Sequence, residues 1–312
     1  MKYKNLINSE LKLIARKIPY NKFMIKPANI FLAISSYLTR IPKEIKRRNI
    51  TIKGYQGLKF KVDIFEAADV TEKLPCLIYV HGGAFSYKAS VYHKKLACIY
   101  AAKAKCRVYF PDYHLTPEYP YPAAYDDVVA LYRYIMERSE ESLIDNGKIA
   151  IAGDSAGASI AALICNHYEQ EDLKQPCMQM LVYPLTDVTM QTDSMKKFSD
   201  TPLWNSKNNK RMWSYYCKNL KAEDSYNASP MHSSLPQIIP DTYIETTEYD
   251  CLHDEGILYG RKLQEAGANV LINDTKGTIH GYDSAISTKI AVTNIKKRIR
   301  FLKKGFRDLP SV

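Results

Sequence analysis

At 312 residues the chain can bury a large core, and one α/β domain with insertions accounts for its length. Its seven cysteines (Cys76, Cys98, Cys106, Cys165, Cys177, Cys217, Cys251) are odd in number, scattered and without a C-x-x-C pair. That argues against a disulfide framework or a zinc site and for reduced thiols in a reducing compartment. The net charge of +11 lies entirely in residues 1–53, where 13 Lys and Arg meet only Glu10 and Glu44; the remainder holds 31 residues of each sign.

The basic segment could meet anionic lipid or an acidic partner, but the reading adopted is a solvated face on peripheral helices. No nucleic acid is expected, because these Lys and Arg residues belong to no recognisable binding module. Lys2 to Lys17 alternates charge with apolar residues and lacks the apolar core of a cleavable signal; Ala28 to Leu38 is too short to span a bilayer. A soluble, cytoplasmic protein is expected.

In chain order, residues 1–45 read as two or three helices broken at Pro19, Pro27 and Pro42. Ile50 to Lys53 and Leu58 to Glu66 read as a hairpin, with Gly54 and Gly57 bracketing its turn. Cys76 to Val80 is an apolar strand run ending in His81-Gly82-Gly83-Ala84-Phe85, and Arg107 to Phe110 is another. A helix around Tyr125 to Arg138 leads to the run Lys148 to Ala152. Met178 to Tyr183, Thr242 to Thr246 and Val270 to Asn273 complete a set of strands alternating with helices. Such alternation implies a mostly parallel sheet covered on both faces, with ligands at the carboxyl ends of the strands. Thr186 to Pro236 interrupts it for about fifty residues and carries both tryptophans, Trp204 and Trp213. A loop that long has structure or a job, and with the N-terminal segment it could roof the site. The division is therefore 1–45 as N-terminal cap, 46–185 and 237–312 as catalytic core, and 186–236 as cap insertion.

The run through Ala152 breaks at Gly153-Asp154-Ser155-Ala156-Gly157, and Ile160, Leu163, Ile164 and Tyr168 then recur at helical spacing. Strand, sharp turn and helix around G-x-S-x-G make a nucleophile elbow, with Ser155 at its apex. A serine hydroxyl is a poor nucleophile until an imidazole takes its proton and a carboxylate orients the imidazole. Of His167, His232, His253 and His280, only His280 follows the last strand, in a glycine-rich loop. Asp250 follows the strand before it and is the acid chosen. Asp254 is read as a cap of the next helix, and Asp274 and Asp283 are set aside. The loop Gly82-Gly83-Ala84 and the N–H of Ala156 can supply an oxyanion hole.

These motifs stand together with Asp112-Tyr113-His114-Leu115-Thr116-Pro117-Glu118 and His280-Gly281-Tyr282, in an order that resembles the hormone-sensitive-lipase-like carboxylesterases of the α/β-hydrolase fold. The resemblance spans about residues 50–305. It implies an eight-stranded sheet whose second strand is antiparallel, the triad Ser155, Asp250 and His280, and no cofactor or metal. It further implies that the donors are the amides of Gly83, Ala84 and Ala156, with Gly82 shaping the loop. Two departures stand out: Ala84 replaces the third glycine, and His114 replaces an arginine, so that any ion pair the arginine made should be absent or weakened. The expected activity is hydrolysis of short- to medium-chain acyl esters through an acyl-enzyme. A peptidase or acyltransferase and a non-catalytic small-molecule receptor are the alternatives, and a homodimer is left open.

Overall fold

The computed structural model describes residues 3 and 5–308. Its strands are β1 (Ile45–Lys53), β2 (Lys59–Ala67), β3 (Leu74–Val80), β4 (Arg107–Asp112), β5 (Ile144–Asp154), β6 (Met178–Val182), β7 (Asp241–Tyr249) and β8 (Val270–Ile279). They form one sheet in the order β1-β2-β4-β3-β5-β6-β7-β8. β2 is antiparallel to both of its neighbours, and every pairing from β4 to β8 is parallel. The hairpin is longer than its apolar residues announce. Lys46 to Asn49 pair with Asp63 to Glu66, and Arg47 grips Asp63 through hydrogen bonds of 2.9 Å, so polar residues extend an antiparallel edge.

The central strands are buried on both faces: every residue of β6, and all of β3 except Pro75, is buried. Helices α2 (Val91–Ala104), α3 (Ala123–Glu137), α4 (Ala156–His167), α7 (His253–Glu265) and α8 (Lys289–Asp308) cover them. The crossovers return each chain end to the same edge, so the segments after β3, β5, β7 and β8 gather at the carboxyl end of the sheet.

The N-terminal segment corrects its sequence reading. Among its described residues it holds one short 3₁₀ turn, Ser9–Leu11, and a single helix α1 (Lys22–Tyr37) that runs through Pro27. Asn21 caps α1 by accepting from the N–H groups of Phe23 and Met24 at 3.1 Å. Pro27 lies in the second turn, where its missing N–H leaves only the carbonyl of solvent-exposed Phe23 without a helical partner. Lys2 and Lys4 lie outside the described residues.

Thr186 to Pro236 contains α5 (Asp193–Lys197), α6 (Ser206–Tyr216) and a 3₁₀ turn, Glu223–Ala228. It is stitched to the N-terminal segment. The Leu203 N–H donates to the Arg16 carbonyl at 2.9 Å, Asn208 Nδ2 to the Ile18 carbonyl at 3.1 Å, and Arg211 to the Tyr20 carbonyl. Tyr20 packs edge-on against Trp204, ring centroids 5.4 Å apart.

Candidate active site

β5 enters the turn at Asp154 and α4 leaves it at Ala156, with Ser155 between them at φ 52°, ψ −120°. A positive φ costs a residue with a Cβ about 1–3 kcal/mol and persists only where its surroundings impose it. Here the Ser155 N–H donates to the Val182 carbonyl at 2.9 Å, and its carbonyl accepts from Ser159 N–H at 3.2 Å. The flanking glycines allow the crossing. A Cβ on Gly157 would lie 2.1 Å from the Val80 carbonyl oxygen, and one on Gly153 would lie 2.3 Å from the backbone of Gly157.

The structure brings the three residues of the expected triad into one chain of hydrogen bonds. Ser155 Oγ lies 2.8 Å from His280 Nε2, and His280 Nδ1 donates to Asp250 Oδ2 at 2.7 Å. Asp250 is fully buried and also accepts from Thr247 Oγ1 at 2.7 Å and the Leu252 N–H at 3.0 Å. Burial alone would push its carboxyl up, but His280 and these donors together hold it below the ordinary carboxylate range.

The other candidates lie elsewhere. His167 ends α4, His232 bonds Asp187 at 2.9 Å, and His253 sits between Asp254 and Asp274 at 2.7 and 3.1 Å. Asp254 is not a helix cap: Leu252 holds that position, and Asp254 instead accepts the Ser194 N–H of the insertion at 2.7 Å. Asp283 pairs with Arg298. At His114, where the resemblance would place an arginine, the ring and the backbone N–H both donate to buried Asp127 at 2.7 Å.

The loop after β3 lies against the elbow. A Cβ on Gly82 would meet Asp154 Oδ2 at 2.4 Å and Ser155 Cβ at 3.1 Å. Gly83 has φ +127°, followed by Ala84 at +56° and Phe85 at +53°. The Gly83 carbonyl is occupied by the N–H groups of Ser86 and Tyr87 at 2.9 and 2.7 Å, which turns that peptide away from the solvent side. Ala156 opens α4, where the first amides of a helix have no partner within it.

Two supporting networks escape sequence reasoning. Under the elbow, Asp154 accepts from Tyr79 Oη at 3.0 Å and from His93 Nε2 at 3.1 Å. Despite full burial, which raises it, the His93 contact holds its carboxyl low. Under the His280 loop, Arg298 of α8 donates to Asp283 at 2.6 Å and to Glu245, while Tyr183 and Tyr282 donate to the same two carboxylates at 2.7 Å. The Tyr183 ring in turn lies 4.7 Å from that of His280.

A cavity of about 410 Å³ opens over Ser155 and His280. Its floor includes Gly83, Ala84 and Tyr183; its walls come from both outer segments, through Tyr20, Met24 and Phe31 on one side and Leu203 and Trp204 on the other.

Residues 77–284 match the model of a family described by its alpha/beta hydrolase fold. The chain is 31% identical over 240 residues to carboxylesterase NlhH of Mycobacterium tuberculosis, covering 73% of each chain. It is 32% identical over 228 residues to esterase LipI of the same species, covering 72% of this chain and 70% of that one. Among solved structures, a bacterial heroin esterase superposes with a TM-score of 0.90 at 25% identity, covering 98% of this chain and all (100%) of the other.

Proposed function

The chain belongs to the hormone-sensitive-lipase-like carboxylesterases of the α/β-hydrolase fold and is a carboxylic ester hydrolase, and from that premise we propose that Ser155, His280 and Asp250 carry the reaction through an acyl-enzyme. The observation that supports it most is the continuous hydrogen-bond chain from Ser155 through His280 to Asp250, opening into an apolar cavity. Ser155 Oγ attacks the ester carbonyl carbon while His280 Nε2 takes the hydroxyl proton. Asp250 holds the imidazole in the tautomer that can accept it and stabilises the cation that forms. The amides of Gly83, Ala84 and Ala156 receive the charge that develops on the carbonyl oxygen, with Gly82 setting the approach of the loop. The intermediate collapses, the alcohol leaves with the proton from His280, and water repeats the sequence to release the acid from Ser155.

The N-terminal segment and residues 186–236 act as a cap over this site, with the core formed by 46–185 and 237–312. The mostly apolar cavity suits small-molecule esters of acetyl to hexanoyl chain length. Neighbouring lengths should differ only mildly, since one methylene contributes about 1 kcal/mol. The seven free thiols, five of them buried, fit a cytoplasmic setting.

Ser155→Ala should lower turnover of p-nitrophenyl acetate by about 10⁴–10⁶-fold, and a fluorophosphonate should label Ser155 of the wild type, as read by mass spectrometry. A variant keeping more than a tenth of the activity would end the assignment, and an unlabelled serine would favour a receptor of the same fold.

A further inference from the structure

We propose that the outward face of α1 docks onto an anionic lipid surface and turns the mouth of the Ser155 cavity toward it. The helix is inverted relative to an ordinary surface helix. Only Ile25 and Ser36 of α1 are buried, Ile25 within the core, and the rest of its inner hold is polar: Asn29 Nδ2 donates to the Ser86 carbonyl at 2.8 Å and Asn29 Oδ1 accepts the Lys88 N–H at 2.9 Å. Its outer side carries Phe23, 89% exposed, Tyr37 at 78%, Leu38 at 72% and Phe31 at 70%, with Ile30 and Ile34 also more than half exposed. At helical spacing these six fall within an arc of about 120°. An apolar patch of this kind on a protein surface marks a contact site.

Charge selects the occupant. Lys22 and Lys26 of α1, with Lys17, Arg40 and Lys43 close to it in the chain, are exposed, and none forms an ion pair among the described residues. Glu10, one of the two acids in residues 1–53, lies away from α1, accepting the N–H groups of Lys289 and Ile290. Ile30 also lines a groove of about 940 Å³ that holds Lys22, Lys26, Lys59, Lys61 and Lys88 against Asp112 and Glu118. Apolar side chains flanked by unpaired lysines match a surface of anionic headgroups over acyl chains. A second copy fits less well, since a two-fold contact sets a patch against itself and would bring these lysines together. Among the described residues no helix is long and apolar enough to cross a membrane, so α1 would lie on the surface.

Continuity with the site gives the contact a purpose. Phe31 and Met24 belong to both the exposed face and the wall of the cavity over Ser155. An ester dissolved in the lipid surface would meet the cavity without crossing water. That consequence rests on the esterase reading; the docking surface does not.

The test is co-sedimentation of the full chain with vesicles of phosphatidylcholine alone and of phosphatidylcholine with phosphatidylglycerol. The wild type should pellet with the anionic vesicles, less so at raised salt, and poorly with the neutral ones. K22E/K26E should bind anionic vesicles at least about tenfold more weakly, and F23S/I34S about tenfold more weakly. Both variants should melt at the wild-type temperature, which separates lost docking from lost folding. Equal binding by K22E/K26E, or no binding by the wild type, would overturn the proposal. So would a wild-type dimer, seen by light scattering, that F23S/I34S makes monomeric while vesicles bind neither form.

Discussion

Below the cavity, charged groups are buried and paired; above it, apolar side chains stand in solvent. Asp250, Glu245, Asp283 and Arg298 are all essentially inaccessible, yet each carboxylate meets a cation or imidazole and at least one further donor. α1 does the opposite, turning Asn29 inward and Phe23 outward. Each arrangement is unfavourable unless something compensates. For the floor the compensation lies inside the molecule, in hydrogen bonds that hold His280 and Ser155 in register. For the roof, nothing among the described residues covers the exposed side chains of α1, and the proposed docking surface is what would supply the compensation.

The sharpest way to break this contrast is at its most buried carboxylate. Asp250→Asn keeps the shape but reverses the preferred tautomer of His280, and kcat should fall by about 10⁴-fold. Asp254→Asn, although only four residues away, removes contacts to Ser194 and His253 and should leave kcat within a few-fold. The ratio of the two rates on p-nitrophenyl acetate measures the assignment, and the reverse order would move the triad.

A second comparison sets Arg298→Met against Ile34→Ser. Removing the guanidinium leaves Glu245 and Asp283 buried without their cation, a loss of about 3–5 kcal/mol, read by urea denaturation. Burial alone would raise the Glu245 carboxyl, and Arg298 is the main group holding it low. Ile34→Ser changes an already exposed side chain and should move stability by no more than about 0.5 kcal/mol. Similar losses at the two positions would mean that α1 is packed and not presented.

The sequence makes this asymmetry only half legible. The three residues of the proposed triad could be brought together on paper because each follows a strand, with Ser155 inside a motif whose glycines have a steric reason, as at Gly157 against Val80. Strand centres were legible for the same reason: their apolar runs are buried on both faces. Arg298 gave no signal. It stands among Lys296, Lys297 and Arg300 in a helix that looks basic all round, and only the phase of α8 against the sheet buries it. His93 and Tyr79 are likewise joined to Asp154 by tertiary packing alone. In α1 the residue pattern was visible, but Pro27 suggested a break, and an apolar face says nothing by itself about which way it points. Asn29, bonded to the 86–88 loop, decides that direction.

A smaller effect than the loss of Arg298 is expected at His81, beside the loop that follows β3. Its ring is fully buried, donates through Nδ1 to the Gly82 carbonyl at 2.6 Å, and stacks on Tyr113 with centroids 4.6 Å apart; its Nε2 has no hydrogen-bond partner. Burial, reinforced by nearby His93, lowers its pKa from 6.5 to about 4. Between those values the unfolded chain binds a proton that the folded one does not, so this group makes stability rise with pH across the window and fall on acidification. Replacing it by asparagine removes that dependence. The difference in unfolding free energy between wild type and His81→Asn should therefore shift by about 1–2 kcal/mol between pH 7 and 5, in favour of the variant at the lower pH. Denaturation curves at the two pH values measure it directly. A constant difference would mean that the ring takes up its proton inside the fold, and that its surroundings are wetter than the packing of His81 on Tyr113 allows.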